Sequence, residues 1–339
     1  MEKHNSYELD FENRKDFNFK EVYGDNAIII ADNALQLGLS VKPLFRRYLE
    51  ISNSKKNHIF QSADSTAVSR LGTLMSEDKE KSKYFLKRAG IPVPKGKLFF
   101  ANEIKEIINY AKNLGNFVLK PNNGDCGERV YLELQHSSIE EIIKTGFFPN
   151  EEIIIEERIE GEEYRFFCIE NGYIAIMCRN PANVLGDGIN NLEKLIEEKN
   201  QDRIKRFLEK NGSPFRKIEI DNASRKSLNS RGLDLGYVPK RDERVFLRGN
   251  SNLSTGGDSI SIDPEIIPPE IKEAAMASIK AIPGFPYGGV DIMIPENPSK
   301  KKKFAVLEIN HIPGIKGFHY PYLGQPQNPA KNLLEYLFF

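Results

Sequence analysis

The 339-residue sequence is poor in cysteine, and what it has is not arranged in pairs. Cys126, Cys168 and Cys178 are odd in number and form no C-x-x-C, so neither a disulfide framework nor a cysteine-based zinc site is indicated. No stretch approaches the roughly 18 apolar residues that a membrane helix needs, and Met1 to Asp10 are polar and mixed in charge, unlike a secretory leader. Net charge is missing too: 48 Lys+Arg balance 48 Asp+Glu, which provides no overall field for nucleic acid or an anionic membrane. These absences predict a cytoplasmic protein with reduced thiols, a partner of neither nucleic acid nor membrane. The chain also lacks the G-x-x-x-x-G-K-[ST] order, any Ser-His-Asp or Cys-His arrangement, and any repeat or low-complexity tract.

What is present is ordinary in proportion, 40% hydrophobic and 28% charged, with length enough for two or three domains around a shared interior. Residues 1–25 are polar and hard to place. From Asn26, the segment AIIIADNALQLGLSVKPL predicts a helix ending at Gly38 and a short strand after it. SEDKEKSKYFLKRAG predicts a helix from about Ser76, with Glu77 and Asp78 in its first turn and Gly90 past its end. Ile104, Ile107, Ile108 and Ala111 fall at helical spacing, closed by Gly115. FVLK (117–120) reads as a strand, the polar loop 122–129 follows, and a helix at Ile139 to Lys144 and a strand IIIEE (153–157) complete a small α/β unit. Asn171-Gly172 between apolar runs signals a hairpin. Helices are expected at Leu192 to Lys199, Gln201 to Lys210 and Pro269 to Ala281. GGVDIMI and FAVLEIN are strands joined by a solvated lysine-rich turn.

That late hairpin carries the sharpest chemical signal. Glu308 and Asn310 are two apart and share a strand face. Folding about residue 299 brings Asp291 opposite Glu308. Two carboxylates and an amide without a neighbouring soft ligand suit a hard cation such as magnesium, which completes its octahedron with water and substrate phosphates; the same residues would equally serve as a solvated polar face. Lys120, leaving a strand beside a loop with Gly124 and Gly127, is placed to meet phosphates while backbone N–H groups cradle the oxygens, although a plain surface turn has the same look. Glu163 could accept from ribose hydroxyls. Arg165 suits forked recognition of a carboxylate or phosphate as well as surface ion pairing. In FLRGNSNLSTGGDSI (246–260), Gly256-Gly257 allow main chain to approach a ligand closely, or mark a structural turn.

Taken in order, MSEDKEKSK, FVLKPNNGDCGERV, IEERIEGEEYRF, RNPANVLGDGINNLEKLIEEKNQD, VFLRGNSNLSTGGDSI and GGVDIMI…LEINHIPGI resemble the ATP-grasp superfamily. The resemblance is nearest to the branch that holds cyanophycin synthetase and the fused glutamate–cysteine ligase/glutathione synthetase, and it runs from about Ala27 to Phe338. It implies an α+β, ATP-grasp fold: residues 1–75 as an N-terminal pre-ATP-grasp-like region, and 76–339 as the ATP-grasp domain. Within that domain a small nucleotide-clasping part spans about 95–160 and a large part 161–339. By matched motif, Lys79 and Lys120 look like the nucleotide-phosphate lysines and the 122–129 loop like the cover over ATP. Glu156, Glu157 and Ile159 fall at the adenine hinge, Glu163 at the ribose position, and Arg179 at a γ-phosphate contact. Asp291, Glu308 and Asn310 fall on the metal positions, with Glu308 bridging two magnesium ions, which manganese can replace. Arg165, Arg248 and Asn252 match positions near the acyl phosphate, and Ser254, Thr255, Gly256 and Gly257 match the substrate loop. One departure stands out: where the family's phosphate loop ends in Gly-x-Gly-Val, this chain reads Gly127-Glu128-Arg129-Val130.

The activity implied is ATP-dependent joining of a carboxylate to an amine, ADP-forming, on an amino acid or small peptide, through an acyl phosphate. Homodimerisation is a family expectation. No side-chain nucleophile is required, and His311 and His319 read as packing or substrate contacts. The chain has no room for the glutamate–cysteine ligase domain of its fused relatives, so their substrates are not carried over. Narrower or different alternatives are a free-standing glutathione synthetase joining γ-glutamylcysteine to glycine, an ATP-binding regulatory protein without turnover, and phosphotransfer without ligation.

Overall fold

The computed structural model describes residues 24–124, 127–132, 134–209, 216–249, 251–295 and 304–339. The polar N-terminal stretch, Cys126, the expected helix end at Lys210 and the lysine-rich turn lie outside the described residues. Helix α1 (Asp25–Gln36) ends as its spacing predicts: Gly38 takes φ 73°, and the N–H of Leu39 closes onto Ala34 O at 2.9 Å, because glycine enters the left-handed conformation without a Cβ clash.

The short strand expected after Gly38 is the first of a four-stranded antiparallel meander, β1 (Ser40–Phe45), β2 (Tyr48–Ser52), β3 (Asn57–Gln61) and β4 (Asp64–Ser65). Leu49 and Ile51 are buried on β2 while Tyr48, Glu50 and Ser52 are not, so the meander has one core face. Buried Tyr287 ties it to the rest of the molecule, its hydroxyl bonding Ala63 O at 3.1 Å and Ser65 Oγ at 2.9 Å.

A helix absent from the sequence reading, α2 (Arg70–Glu77), precedes the predicted one. Glu77 therefore closes α2, and Asp78 caps α3 (Lys79–Arg88) by accepting from Lys81 N at 3.0 Å. The helix starts three residues later than the sequence suggested, at Lys79 and not Ser76, because Asp78 is a better N-cap than an interior residue.

The small α/β unit is a three-stranded antiparallel sheet in the order β5 (Gly96–Phe100), β7 (Glu152–Glu157), β6 (Phe117–Pro121). Helices α4 (Ile104–Lys112) and α5 (Ile139–Gly146) contribute Ile107, Ala111, Ile139 and Ile143 to a core with Leu119, Ile153 and Ile155. Alternation then sends Lys120 and Glu156 to the other face.

The large sheet has five antiparallel strands in the order β12 (Asp258–Ile262), β9 (Ile174–Asn180), β8 (Glu162–Ile169), β13 (Tyr287–Ile294), β14 (Ala305–Asn310). Helix α8 (Pro269–Ala281) packs on it, with Ile271, Ala275 and Ile279 joining Phe166, Ile176, Val290 and Ile292 in the main core. The β8–β9 hairpin forms at Asn171-Gly172, but only Gly172 has positive φ, 108°. Gly172 N donates to Ile169 O, and Ile169 N to Tyr173 O, which is a three-residue loop with a glycine bulge in place of a two-residue turn.

A third core is built by the ribbon of β10 (Asn183–Leu185) and β11 (Arg244–Phe246) with α6 (Leu192–Glu209) and α7 (Asn222–Asn229). The two helices expected around residue 200 are one. Asn200, which reads as a break, instead tethers the segment beyond the helix: its amide donates to Ile218 O at 3.0 Å and accepts from Ile218 N at 2.7 Å. The chain closes with α9 (Lys316–His319) and α10 (Pro329–Phe338), the latter packed on α1.

Tyr287→Phe would leave Ala63 O and Ser65 without their buried partner. A loss of about 1–3 kcal/mol in urea unfolding is expected; unchanged stability would mean the meander is not held through this hydroxyl.

Candidate active site

The site grows from strand register. On β13, Asp291 pairs with Arg165 of β8 on one side and with Glu308 of β14 on the other, so the expected opposition of Asp291 and Glu308 is present. Cross-strand neighbours share a face, and residues two apart on β8, β9 and β14 add Glu163, Arg179 and Asn310 to it.

Asp291 is 1% exposed. Arg165 grips it with two parallel bonds, Nε to Oδ1 at 2.7 Å and Nη2 to Oδ2 at 2.6 Å, and Arg179 Nη2 adds a third at 2.8 Å. Burial alone would push the Asp291 carboxyl up, but the two guanidiniums outweigh it and hold the group well below the usual carboxylate range. Glu308, a third exposed, has looser neighbours: Lys79 Nζ and Arg165 Nη2, each at 3.9 Å. Burial and the adjacent Asp291 push its carboxyl up against the pull of Lys79 and Arg165. Asn310 Oδ1 accepts from Ile312 N at 2.9 Å, which leaves a second lone pair on that oxygen. Glu163 binds Arg179 and the hydroxyl of Ser251. The result is a face of three carboxylates interleaved with Lys79, Arg165 and Arg179.

Among the described residues no group of three or more His, Cys, Asp and Glu side chains could hold a metal ion. Asp291, Glu308 and Asn310 are two carboxylates and an amide, an oxygen-only set, and it fits a hard divalent cation that draws its remaining ligands from water and phosphate. The buried thiols of Cys168 and Cys178 are pushed up by burial, Cys178 to about 12, so neither offers a thiolate nucleophile near neutrality. Half-buried His319 is pushed down to about 4 by desolvation, and its Nε2 accepts from Ala330 N. His311 Nε2 lies 3.5 Å from Glu77.

The small sheet brings the second group. Lys120 Nζ meets Glu156 Oε1 at 2.6 Å, and Lys83 contacts Oε2 of the same carboxylate. The side chain of Glu156 is thus taken up by two lysines. Glu157 Oε1 accepts from Lys95 N at 2.8 Å, and its own N–H donates to Lys95 O, so it is fixed at the end of the central strand β7, two residues before Ile159. Lys79 Nζ donates to Gly124 O at 2.7 Å, while Asn122 Oδ1 accepts from Glu80 N at 3.0 Å. The loop after β6 is therefore fastened to the start of α3.

In the polar 246–260 segment, Asn252 caps a short turn, with Oδ1 accepting from Ser254 N and its carbonyl from Thr255 N and Gly257 N. Gly256 takes φ 94°, and a Cβ on Gly257 would fall 2.7 Å from Asn180 O, so the loop lies against the end of β9 only because this residue is glycine. Arg248 is not brought to Asp291: its Nη2 bonds Asp221, the N-cap of α7, at 2.5 Å. The segment reaches the cluster through Ser251 instead.

Sequence reasoning missed Lys83, Ser251 and a buried cluster behind the loop. There Arg203 donates to Gly256 O at 2.8 Å and Asp258 at 2.7 Å, and Lys199 meets Asp258 at 2.7 Å. The i, i+4 spacing of Lys79 with Lys83 and of Lys199 with Arg203 was the available signal.

Residues 76–202 match the RimK-like ATP-grasp domain. The chain carries an ATP-grasp domain. It is 31% identical over 336 residues to the glutathione biosynthesis bifunctional protein GshAB of Clostridium perfringens, covering 96% of this chain and 42% of that protein. The corresponding protein of Enterococcus faecalis is 30% identical over 332 residues, 94% of this chain and 43% of its own. The crystal structure of a bifunctional glutathione synthetase from Pasteurella multocida superposes with a TM-score of 0.68 at 25% identity, over 94% of this chain and 44% of that one. The chain thus spans less than half the length of these relatives. Its fold is α+β, of ATP-grasp type, and ATP-grasp ligases use ATP and divalent metal ions. No helix among the described residues is long and apolar enough to cross a membrane.

In the loop after β6, Arg129 adopts φ 54°, a left-handed conformation that costs a side-chain-bearing residue about 1–2 kcal/mol. Offsetting contacts are visible: Arg129 Nη1 meets Glu151 at 2.6 Å, and the guanidinium lies 5.2 Å from the Phe147 ring centre. Arg129→Ala keeps the strain and loses both contacts, whereas Arg129→Gly loses the contacts and sheds the strain. Thermal unfolding should rank the glycine variant above the alanine variant by about 1 kcal/mol; the reverse order would contradict this account.

Proposed function

We propose that the chain is an ATP-dependent, ADP-forming ligase that joins a carboxylate to an amine on an amino acid or small peptide. The observation that carries this reading is the Asp291–Glu308 pair meshed with Lys79, Arg165 and Arg179. Those three cations and the carboxylates of Glu163, Asp291 and Glu308 balance one another. A triphosphate arriving there would meet uncompensated repulsion unless it brought cations of its own. Mg·ATP does so.

On this reading Asp291, Glu308 and Asn310 would hold magnesium, as two ions, or manganese in its place, which would supply charge neutralisation at the phosphate oxygens. Lys79 and Lys120 pair with phosphates, and Arg179 approaches the γ-phosphate. Glu157 and Ile159 lie beside the base and Glu163 beside the ribose. A substrate carboxylate oxygen attacks the γ-phosphorus as the bond to ADP breaks, giving an acyl phosphate. The amine nitrogen then attacks the acyl carbon and phosphate leaves. Arg165 is suited to neutralising the acyl phosphate, and the loop of Asn252, Ser254, Thr255, Gly256 and Gly257 to receiving the organic substrate. Because phosphoryl transfer asks mainly for positioning and charge neutralisation, no side-chain nucleophile is needed. Residues 95–160 and 161–339 serve as the two halves of the grasp, with 1–75 as an accessory region.

The names of the bifunctional relatives favour one narrower reading, γ-glutamylcysteine and glycine as the substrate pair. ADP release with that pair, against a panel of amino acids and dipeptides, tests it. For the reaction itself, Asp291→Ala and Glu308→Ala should each lower substrate-dependent ADP release by about 100-fold or more. ADP formation indifferent to both changes would remove the metal assignment.

A further inference from the structure

Helix α3 offers two lysines, one turn apart, to different halves of the molecule. Lys79 reaches Gly124 O and Glu308. Lys83, four residues on, is 2% exposed and contacts one oxygen of Glu156, also 2% exposed, whose other oxygen is held by Lys120. A buried carboxylate needs one cation for neutrality, and Lys120 alone would supply it. The second ammonium is an electrostatic burden: burial and Lys120 push Lys83 down, to about 8, against the opposing pull of Glu156 and Glu80. Buried ionisable groups with perturbed titration cluster at functional sites. Here the excess sits on the inner face of the small sheet, one residue before the 157–159 segment and one side chain away from Lys120.

We propose that Lys83 is a positioning residue for the nucleotide: by holding half of Glu156 it keeps Lys120 incompletely neutralised and its ammonium available to the polyphosphate. This rests on the ligase reading above. The groups facing Lys83 are Glu156 on β7, Lys120 on β6 and Glu80 on its own helix, and together Lys83, Glu156 and Lys120 carry one net positive charge while Lys83 is protonated. Because its pKa is depressed, that charge is present below pH about 8 and lost above it. Affinity for a triphosphate should then fall as pH rises through the same range.

The test is calorimetric titration of the full chain with magnesium and a non-hydrolysable ATP analogue across the neutral and alkaline range. Wild type should bind more weakly on the alkaline side. Lys83→Met should bind about tenfold more weakly at neutral pH and show no alkaline limb. Lys83→Arg should keep neutral-pH affinity and also lose the limb, since a guanidinium stays protonated; it carries the test if the methionine variant fails to fold. Wild-type affinity with the limb intact in Lys83→Arg overturns the proposal while leaving the ligase reading standing. Wild type that binds no Mg·analogue at any pH overturns the ligase reading, and this proposal with it.

Discussion

A carboxylate buried to 1% exposure between two guanidiniums is the constraint around which this molecule is arranged. Asp291 cannot stay ionised in the middle of a five-stranded sheet without Arg165 and Arg179, and they cannot reach it unless β8, β9 and β13 keep their register. A slip of one residue would turn all three side chains to the opposite face and into the apolar core. Register is in turn secured by that core, where Phe166, Ile176, Val290 and Ile292 occupy the alternate positions. The same alternation that packs the sheet aims the charges.

Around this centre the other parts act as supports. Helix α3 is wedged between the large sheet and the small one, and Lys79 and Lys83 give it a polar contact with each. The glycine loop at 256–257 rests on the end of β9 and is held from behind by Arg203, which is itself neutralised by Asp258. Arg129 holds a left-handed conformation in the loop after β6 and compensates through Glu151 and Phe147. Each support is a compensated cost: a buried ion with its partner, a left-handed residue with an anchor, a missing side chain where two backbones meet.

The parts of this arrangement that are local in sequence could be read there. Glu308 and Asn310 share a strand, and the hairpin turn fixes which residue faces Glu308, so Asp291 followed from counting. Helices closed by Gly38, Gly90 and Gly115 were equally legible. The meander at 40–65 was not, because its tight turn is Arg46-Arg47, with Arg47 at φ 73°, and lacks the Asn-Gly chemistry that marks such turns. Asn200 reads as a helix break because its long-range tether to Ile218 cannot be seen in a window of neighbours. Lys83 and Glu156 are 73 residues apart, and Arg248 finds its partner in Asp221, 27 residues away, which no local window shows.

The central claim is that the Asp291–Glu308 face receives divalent ions against a triphosphate. Crystals grown with manganese and a non-hydrolysable ATP analogue would test it through the anomalous signal of the metal. The account predicts manganese between the Asp291 and Glu308 carboxylates and the terminal phosphates, with the Arg179 guanidinium drawn toward phosphate oxygen. Manganese bound to the phosphates but coordinated by neither carboxylate, with Arg165 and Arg179 still closed on Asp291, would contradict it.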